Sequence, residues 1–302
     1  MTPVRPSPVI VSSREDDAGT TIASQLAGPR RWTRETTDFA RDAATGAWLV
    51  TIDEPLVHAT GLDDTCKEVG IEPACYIFAS RHKSATGRPS LLAHVTGNWG
   101  PDNDLGGDPE QICMASGTLL KLAFIGLRER KAAAGQGIDL DEFMVGIEVT
   151  HHGPTCLRHP LVFIELGSDK TTWTNEAGAK IVAGTILDLV DSLFRAENDF
   201  DALARESGID GVGIGFGGLH YPSTFERVML AAPVAFSHLV PKHAIGLLTR
   251  ETIERAMQRT VEPVSWFALD WKGMNKEHKD HLLPLLDTFD VPVRRTKELA
   301  RR

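Results

Sequence analysis

The chain has 302 residues, 24% of them charged and 42% hydrophobic, with a formal net charge of −9. That length can bury one large core or two smaller ones without disulfide or metal staples. The acidic balance argues against an extended, nonspecific nucleic-acid binder, because neutralising phosphates requires clustered Lys and Arg.

In chain order, short apolar runs predict strands at 8–12, 47–52, 74–79, 91–96, 143–149, 161–166, 211–214, 228–230, 235–240 and 266–269. Helical spacing predicts helices at 16–26, 109–130, 175–194, 250–258 and 276–289. In the second of these, Ile112, Ala115, Leu119, Leu122 and Ala123 recur on one face. Gly and Pro punctuate 97–109, which reads as a loop after the strand carrying His94, and 80–87 reads as a second polar loop. The alternation of strand and helix predicts an α/β fold with a mixed, mostly parallel central sheet flanked by helices. No low-complexity linker divides the chain. A single α/β domain over 1–302 is expected, with one continuous sheet and a C-terminal lobe from about residue 235.

The four cysteines, Cys66, Cys75, Cys113 and Cys156, are widely spaced and form neither a disulfide framework nor a CxxC metal site. No apolar run approaches the ~18 to 20 residues of a membrane span, and no apolar signal core opens the chain. A cytoplasmic protein with no membrane partner is expected. Three local basic groups stand out: Arg30, Arg31 and Arg34; Arg128, Arg130 and Lys131; and the tail Arg294, Arg295, Lys297, Arg301 and Arg302. Taken alone, each reads sooner as solvated charge at helix ends or a loose terminus than as a nucleic-acid contact.

The densest chemistry lies at Glu148-Val149-Thr150-His151-His152-Gly153-Pro154-Thr155, where a strand pattern ends in two imidazoles, a glycine and a proline. Imidazoles at a strand end can bind metal or move protons. His82, His94 and His220 also fall at strand ends or in the loops that follow, which points to a shared site. Zinc hydrolases take two or three nitrogen or carboxylate ligands from separate elements and leave a position open for water, although no HExxH motif marks this chain. Glu165 is the one carboxylate in an otherwise apolar strand. It reads as a general base with a raised pKa, as a carboxylate that orients a histidine, or as an edge residue paired with a cation. The glycines of 211–218 suggest close approach of a substrate to the backbone, with no helix opening directly after them as a dinucleotide site would need. No GxSxG elbow supports a serine nucleophile.

These residues resemble the D-aminoacyl-tRNA deacylases of the archaeal and plant type along nearly the whole chain. The resemblance rests on Ser12-Ser13-Arg14 with Asp17-Ala18-Gly19, on Ser80-Arg81-His82-Lys83-Ser84, and on His94-Val95-Thr96-Gly97-Asn98-Trp99 with Gly106-Gly107. It continues through the His151-His152 stretch, Phe163-Ile164-Glu165-Leu166-Gly167-Ser168 with Trp173, Gly217-Gly218-Leu219-His220-Tyr221 and Pro241-Lys242-His243. It implies hydrolysis of the ester joining a D-amino acid to the tRNA 3′-terminal adenosine, one or two zinc ions, and an architecture like those of phosphorylases and peptidyl-tRNA hydrolase. A compatible mechanism has metal held by some of His94, Glu148, His151 and His220, with Glu165 or His152 handling protons. Substrate contacts then fall to His82, Asn98, Gly217, Gly218 and Tyr221. The chain departs from the family pattern at Val95, where the family has proline, at Phe216 and Leu219 in the glycine block, and in an acidic loop at 101–108. That loop leaves two other readings open: a metallohydrolase of the same fold for a small aminoacyl or peptidyl conjugate, and a noncatalytic tRNA- or nucleotide-binding module.

Overall fold

The computed structural model describes residues 5–135 and 140–300. In chain order its strands are β1 (Ser7–Ser13), β2 (Trp32–Arg34), β3 (Phe39–Asp42), β4 (Trp48–Ile52), β5 (Pro73–Lys83) and β6 (Ser90–His94), followed by β7 (Met144–Ile147), β8 (Leu161–Ser168), β9 (Gly211–Phe216), β10 (Val234–Val240), β11 (Val264–Leu269) and β12 (Val293–Arg295). The first eight form one sheet in the order β2-β3-β4-β1-β5-β8-β6-β7, and the last four form a second in the order β10-β9-β11-β12. Strands β4, β1, β5 and β8 run parallel, β6 and β7 run parallel to each other but antiparallel to β8, and the second sheet is wholly parallel. The α/β class and the mixed, mostly parallel central sheet are as the sequence predicts.

All eight residues of β8 are buried, because β5 and β6 cover both of its edges and helices cover the sheet. That is why this strand reads as a continuous apolar run and not as an alternation. The helices Asp17–Ala27 and Glu176–Arg195 pack on each other over the large sheet, and Gly117–Ala133 packs against both Glu176–Arg195 and β10. One helix thus ties the two sheets together. A separate core under the small sheet gathers Ile214, Phe216, Phe267 and Leu282, and the irregular 97–112 segment contributes Trp99 and Ile112 to it. Among the described residues no helix is long and apolar enough to cross a membrane. All four cysteines are free.

Several expectations are corrected. The sheet is not continuous: β9 pairs with β10 and β11 in a sheet of its own. Residues 228–230 are not a strand but lie in the helix Ser223–Ala231, where Phe225, Val228 and Met229 are buried at helical spacing. A run of three apolar residues cannot separate the two periods. The helix predicted from 109 begins at Gly117, after Ser116, whose hydroxyl accepts from Leu119 N–H. Strand β5 runs on to Lys83, so His82 lies in the sheet and not in a loop. The short strands β2, β3 and β12 carry too little apolar pattern to be read from sequence.

The start of the Gly117–Ala133 helix is held by a residue from the small-sheet side. The buried Glu262 carboxylate accepts from Ser116 Oγ at 2.6 Å, Gly117 N at 3.1 Å and Thr118 N at 3.0 Å. Charge-assisted bonds to unpaired first-turn amides are among the stronger kinds. Glu262→Ala is therefore expected to destabilise the fold by about 2 to 4 kcal/mol, read from the midpoint of urea unfolding. A wild-type midpoint would show that this link is idle.

His238 in β10 is fully buried, and burial lowers its pKa from 6.5 to about 4, with the Arg259 carbonyl at 3.4 Å from Nε2 opposing only weakly. The unfolded chain therefore takes up a proton before the folded one does. Stability supported by this residue is complete above pH 6.5 and falls as the pH drops toward 4. His238→Gln should flatten the acid limb of stability against pH by on the order of 3 kcal/mol. Denaturant melts of both proteins across that window measure the difference, and parallel curves would contradict it.

Candidate active site

Side chains two apart on a strand share a face, and paired residues of neighbouring strands share it too. Glu165 on β8 lies opposite Ser80 on β5 and Leu92 on β6. His82 and His94, each two residues further along, thus share its face of the sheet. The chain beyond β7 supplies Glu148, whose N–H still bonds to Ala93 O at 3.1 Å.

After Glu148 the backbone leaves the large sheet and is stitched to the small one. Val149 N–H donates to His220 O at 3.1 Å and Thr150 N–H to Leu239 O at 2.9 Å, while Leu239 N–H donates to Thr150 Oγ1 at 3.0 Å. The β9/β10 register shifts between Phe236 and Leu239, so Leu239 sits just past an irregularity in β10 while still opposite Gly215. The chain then reverses, with His152 in the left-handed region at φ 46°. That conformation costs a non-glycine residue about 1 to 2 kcal/mol. It is held by Gly97 N–H donating to His152 O at 2.8 Å. The next residue must be glycine, since a Cβ at Gly153 would overlap Gly107 N and Val57 O.

Four imidazoles converge at this turn. Ring centroids are 4.4 Å apart for His94 and His151, 4.8 Å for His94 and His152, 4.5 Å for His151 and His152, and 4.7 Å for His151 and His220. Phe163 stacks under His94 at 5.3 Å. Three of the rings are oriented by main-chain carbonyls: His94 Nδ1 lies 3.1 Å from Val95 O, His151 Nδ1 2.8 Å from Val149 O, and His152 Nδ1 2.6 Å from Gly153 O. A carbonyl only accepts, so each Nδ1 carries the proton and Nε2 is left to face the cluster. His94 Nε2 is buried without a hydrogen-bond partner, 3.6 Å from Glu165 Oε1. One ligand atom from each of His94, His151 and His152 lies within 4.8 Å of the others, and the same holds for Glu148, His151 and His220.

Behind the imidazoles two carboxylates share one histidine. His82 Nδ1 lies 3.3 Å from Glu165 Oε2 and 3.4 Å from Glu148 Oε2, and its Nε2 lies 3.0 Å from the Tyr221 hydroxyl. The Glu148 contact is within ion-pair range but too poorly directed to count as a hydrogen bond, which leaves Oε2 without a true partner. Glu148 Oε1 accepts from His220 Nε2 at 2.6 Å. Burial disfavours charge on His82, yet its ion-pair contacts with Glu148 and Glu165 outweigh this and raise its pKa to about 11. Burial would likewise raise the Glu165 carboxyl, but His82 and His94 hold it down at about 2. Burial and the nearby His94 push His151 down, and they lower His152 to about 4.

The family model for D-aminoacyl-tRNA deacylase matches residues 69–294, a span that contains every one of these groups. The chain belongs to that family. A D-aminoacyl-tRNA deacylase from Pyrococcus furiosus is 36% identical over 230 residues, 76% of each protein. One from Methanosarcina barkeri is 29% identical over 308 residues, covering 100% of this chain and 93% of that protein. The crystal structure of a conserved protein of unknown function matches at 26% identity with a TM-score of 0.83, covering 99% of this chain and 98% of that one.

The turn of His151 and His152 opens on a cavity of about 370 Å³, also lined by His220, His243, Asn98 and the acidic loop with Asp102 and Asp104. A larger cavity of about 710 Å³ lies across the 218–221 loop and contains none of the clustered histidines. The chemistry belongs to the smaller one. Of the residues predicted to act, His94, Glu148, His151, His152, Glu165 and His220 converge. Glu165 is corrected as a base of raised pKa, since it is buried and anionic against two histidines and touches neither cavity. Its geometry fits the reading in which it orients histidines. His82 is corrected as a substrate contact, because it is 6% exposed and both ring nitrogens are engaged within the protein. Asn98 lines the cavity but spends its amide on Gly106 O at 2.9 Å and Asp108 O at 3.2 Å, which shapes the acidic loop. Gly218 and Tyr221 line the larger cavity, and Gly217 turns the chain beside them at φ 100°. His243 also lines the smaller cavity; it stands in the Pro241-Lys242-His243 block that carries the resemblance, which is the signal that marks it.

His82→Ala removes the cation shared by two buried carboxylates. It is expected to cost roughly 3 to 5 kcal/mol in chelator-treated protein, by denaturant unfolding. Adding Glu165→Gln should recover part of that loss, and an additive double variant would refute the shared pairing.

Proposed function

We propose that the protein hydrolyses the ester between a D-amino acid and the 3′-terminal adenosine of tRNA, and that one zinc ion is held by His94, His151 and His152. The observation that carries this reading is the set of three imidazoles presented by carbonyl-fixed tautomers around a buried, unpartnered Nε2, in a chain of this family. Nitrogen donors of this kind suit zinc, and carbonyl acceptors at Nδ1 are the usual means of aiming them. A zinc ion held there would supply Lewis acidity, polarising an ester carbonyl and acidifying a water molecule.

The remaining groups are assigned from their bonds. His220 is 43% exposed at its side chain and lines the cavity, with Nε2–H donated to the buried Glu148. That bond leaves Nδ1 as the basic nitrogen, fit to take a proton from an attacking water and return it to the ribose oxygen that leaves. Glu148 keeps this tautomer, and burial pushing its pKa up is overcome by the His220 bond and the nearby His82, which hold it well below the usual carboxylate range. The exposed Asp102 and Asp104 at the cavity rim offer charge complementary to the ammonium group of an aminoacyl ester.

Loss of ester from D- and L-aminoacyl-tRNA, with and without chelator, tests the reading. The D-ester is expected to be cleaved, chelator to stop the reaction and zinc to restore it; absence of metal-sensitive cleavage by folded protein would sink the proposal. His94→Ala and His152→Ala should each lose bound metal together with activity. His220→Ala should keep its metal and lose about 10²- to 10⁴-fold in kcat. Metal lost from the His220 variant and kept by the His152 variant would reverse the two assignments.

A further inference from the structure

We infer that the larger cavity is a phosphate-binding site for the single-stranded acceptor end of the RNA, continuous with the histidine site across the 218–221 loop. This inference rests on the deacylase reading above. Arg227, Lys242, Lys272, Arg295 and Lys297 line the cavity, in a chain whose net charge is −9. Among the described residues none of these five side chains forms an ion pair. The lining holds a single carboxylate, Asp270, which is nearly buried and accepts from Gly273 N–H at 3.2 Å. Five unpaired cations around one concave surface of an acidic protein attract a polyanion to that surface.

The cations are also positioned. Arg295 lies over the Trp271 ring at 4.0 Å from its centroid, and Lys279 approaches the same ring at 4.6 Å. Arg227 donates to Thr224 Oγ1 at 3.2 Å, which keeps it at the start of the Ser223–Ala231 helix, where no side chain caps the first turn.

Adjacent residues face opposite cavities. Gly218, Leu219 and Tyr221 line the basic cavity while His220 lines the histidine cavity; Lys242 lines the first while Pro241 and His243 line the second. An aminoacyl-RNA has this same order of chemistry, with its ester at one end of the terminal ribose and its first phosphodiester at the other. With the ester at His220, the following phosphodiesters cross the ridge at Leu219 and enter the basic cavity. The acidic loop lines the histidine cavity and not the basic one.

The test uses the full chain with Arg227→Gln and Lys272→Gln combined, and a control with Lys67→Gln and Lys180→Gln, two exposed lysines elsewhere. The probe is an uncharged RNA minihelix, meaning one without an amino acid, ending in single-stranded CCA. The double variant is expected to bind it roughly tenfold more weakly, with a log–log salt slope smaller by about 1.4, while the control binds as wild type. Removing the single-stranded end from the RNA should erase the difference between variant and wild type. With esters, the variant should lose kcat/KM on D-aminoacyl-minihelix and keep it on D-aminoacyl-adenosine, which has no phosphodiester. Unchanged minihelix affinity, or equal losses on both esters, overturns the site. Should wild type cleave neither ester yet bind the minihelix in this salt- and residue-dependent way, the deacylase reading fails and the phosphate site stands.

Discussion

Two carboxylates, Glu148 and Glu165, are buried against a single imidazole, His82, and the arrangement of the site follows from that pairing. An isolated ionised carboxylate in a protein interior is too costly to persist. Each therefore needs donors, and the donors available are histidines: His82 for both and His220 on Glu148. Satisfying the carboxylates fixes where the rings point. The outermost ring, His220, reaches the cavity with its remaining nitrogen, while His94 stays sealed behind His151 and His152.

The second constraint is the crossing of the chain from one sheet to the other. Residues 149 and 150 pair with His220 and Leu239 of the small-sheet half, and the turn that follows brings His152 back over Phe163. The left-handed His152 and the crowded Gly153 are tolerated because Gly97 and the 106–107 turn close over them. Strain is concentrated where three strands and two sheets must deliver side chains to one point. Such sites are where local preference gives way to function.

Charge is segregated on the same scale. The acidic loop and the basic cavity lie on opposite sides of a ridge built from Gly218 to Tyr221, so a chain that is acidic as a whole still presents a local cationic surface. Net charge is a statement about the average field; recognition depends on its distribution.

The strand ends that carry chemistry were legible in the chain itself. The His151-His152-Gly153-Pro154 break in an apolar run, the lone Glu165 in β8 and the histidines near β5 and β6 all mark polar groups where local pattern demands apolar ones, and the resemblance blocks coincide with them. The α/β class follows from the same periodicities. What the sequence could not separate was the role of each group. Glu165 reads alike as base or as orienting residue until burial and its two histidine partners are known. His82 lies in a segment that reads as loop because it is polar, yet it belongs to a strand whose other face is core. The tail cations Arg295 and Lys297 carry no local sign that they meet Arg227 and Lys242, which are distant in the chain. Periodicity and composition are local properties, and they determined the elements and the candidates. Hydrogen-bond partners, burial and the division into two sheets depend on contacts between residues far apart in sequence, and only the tertiary structure decided those.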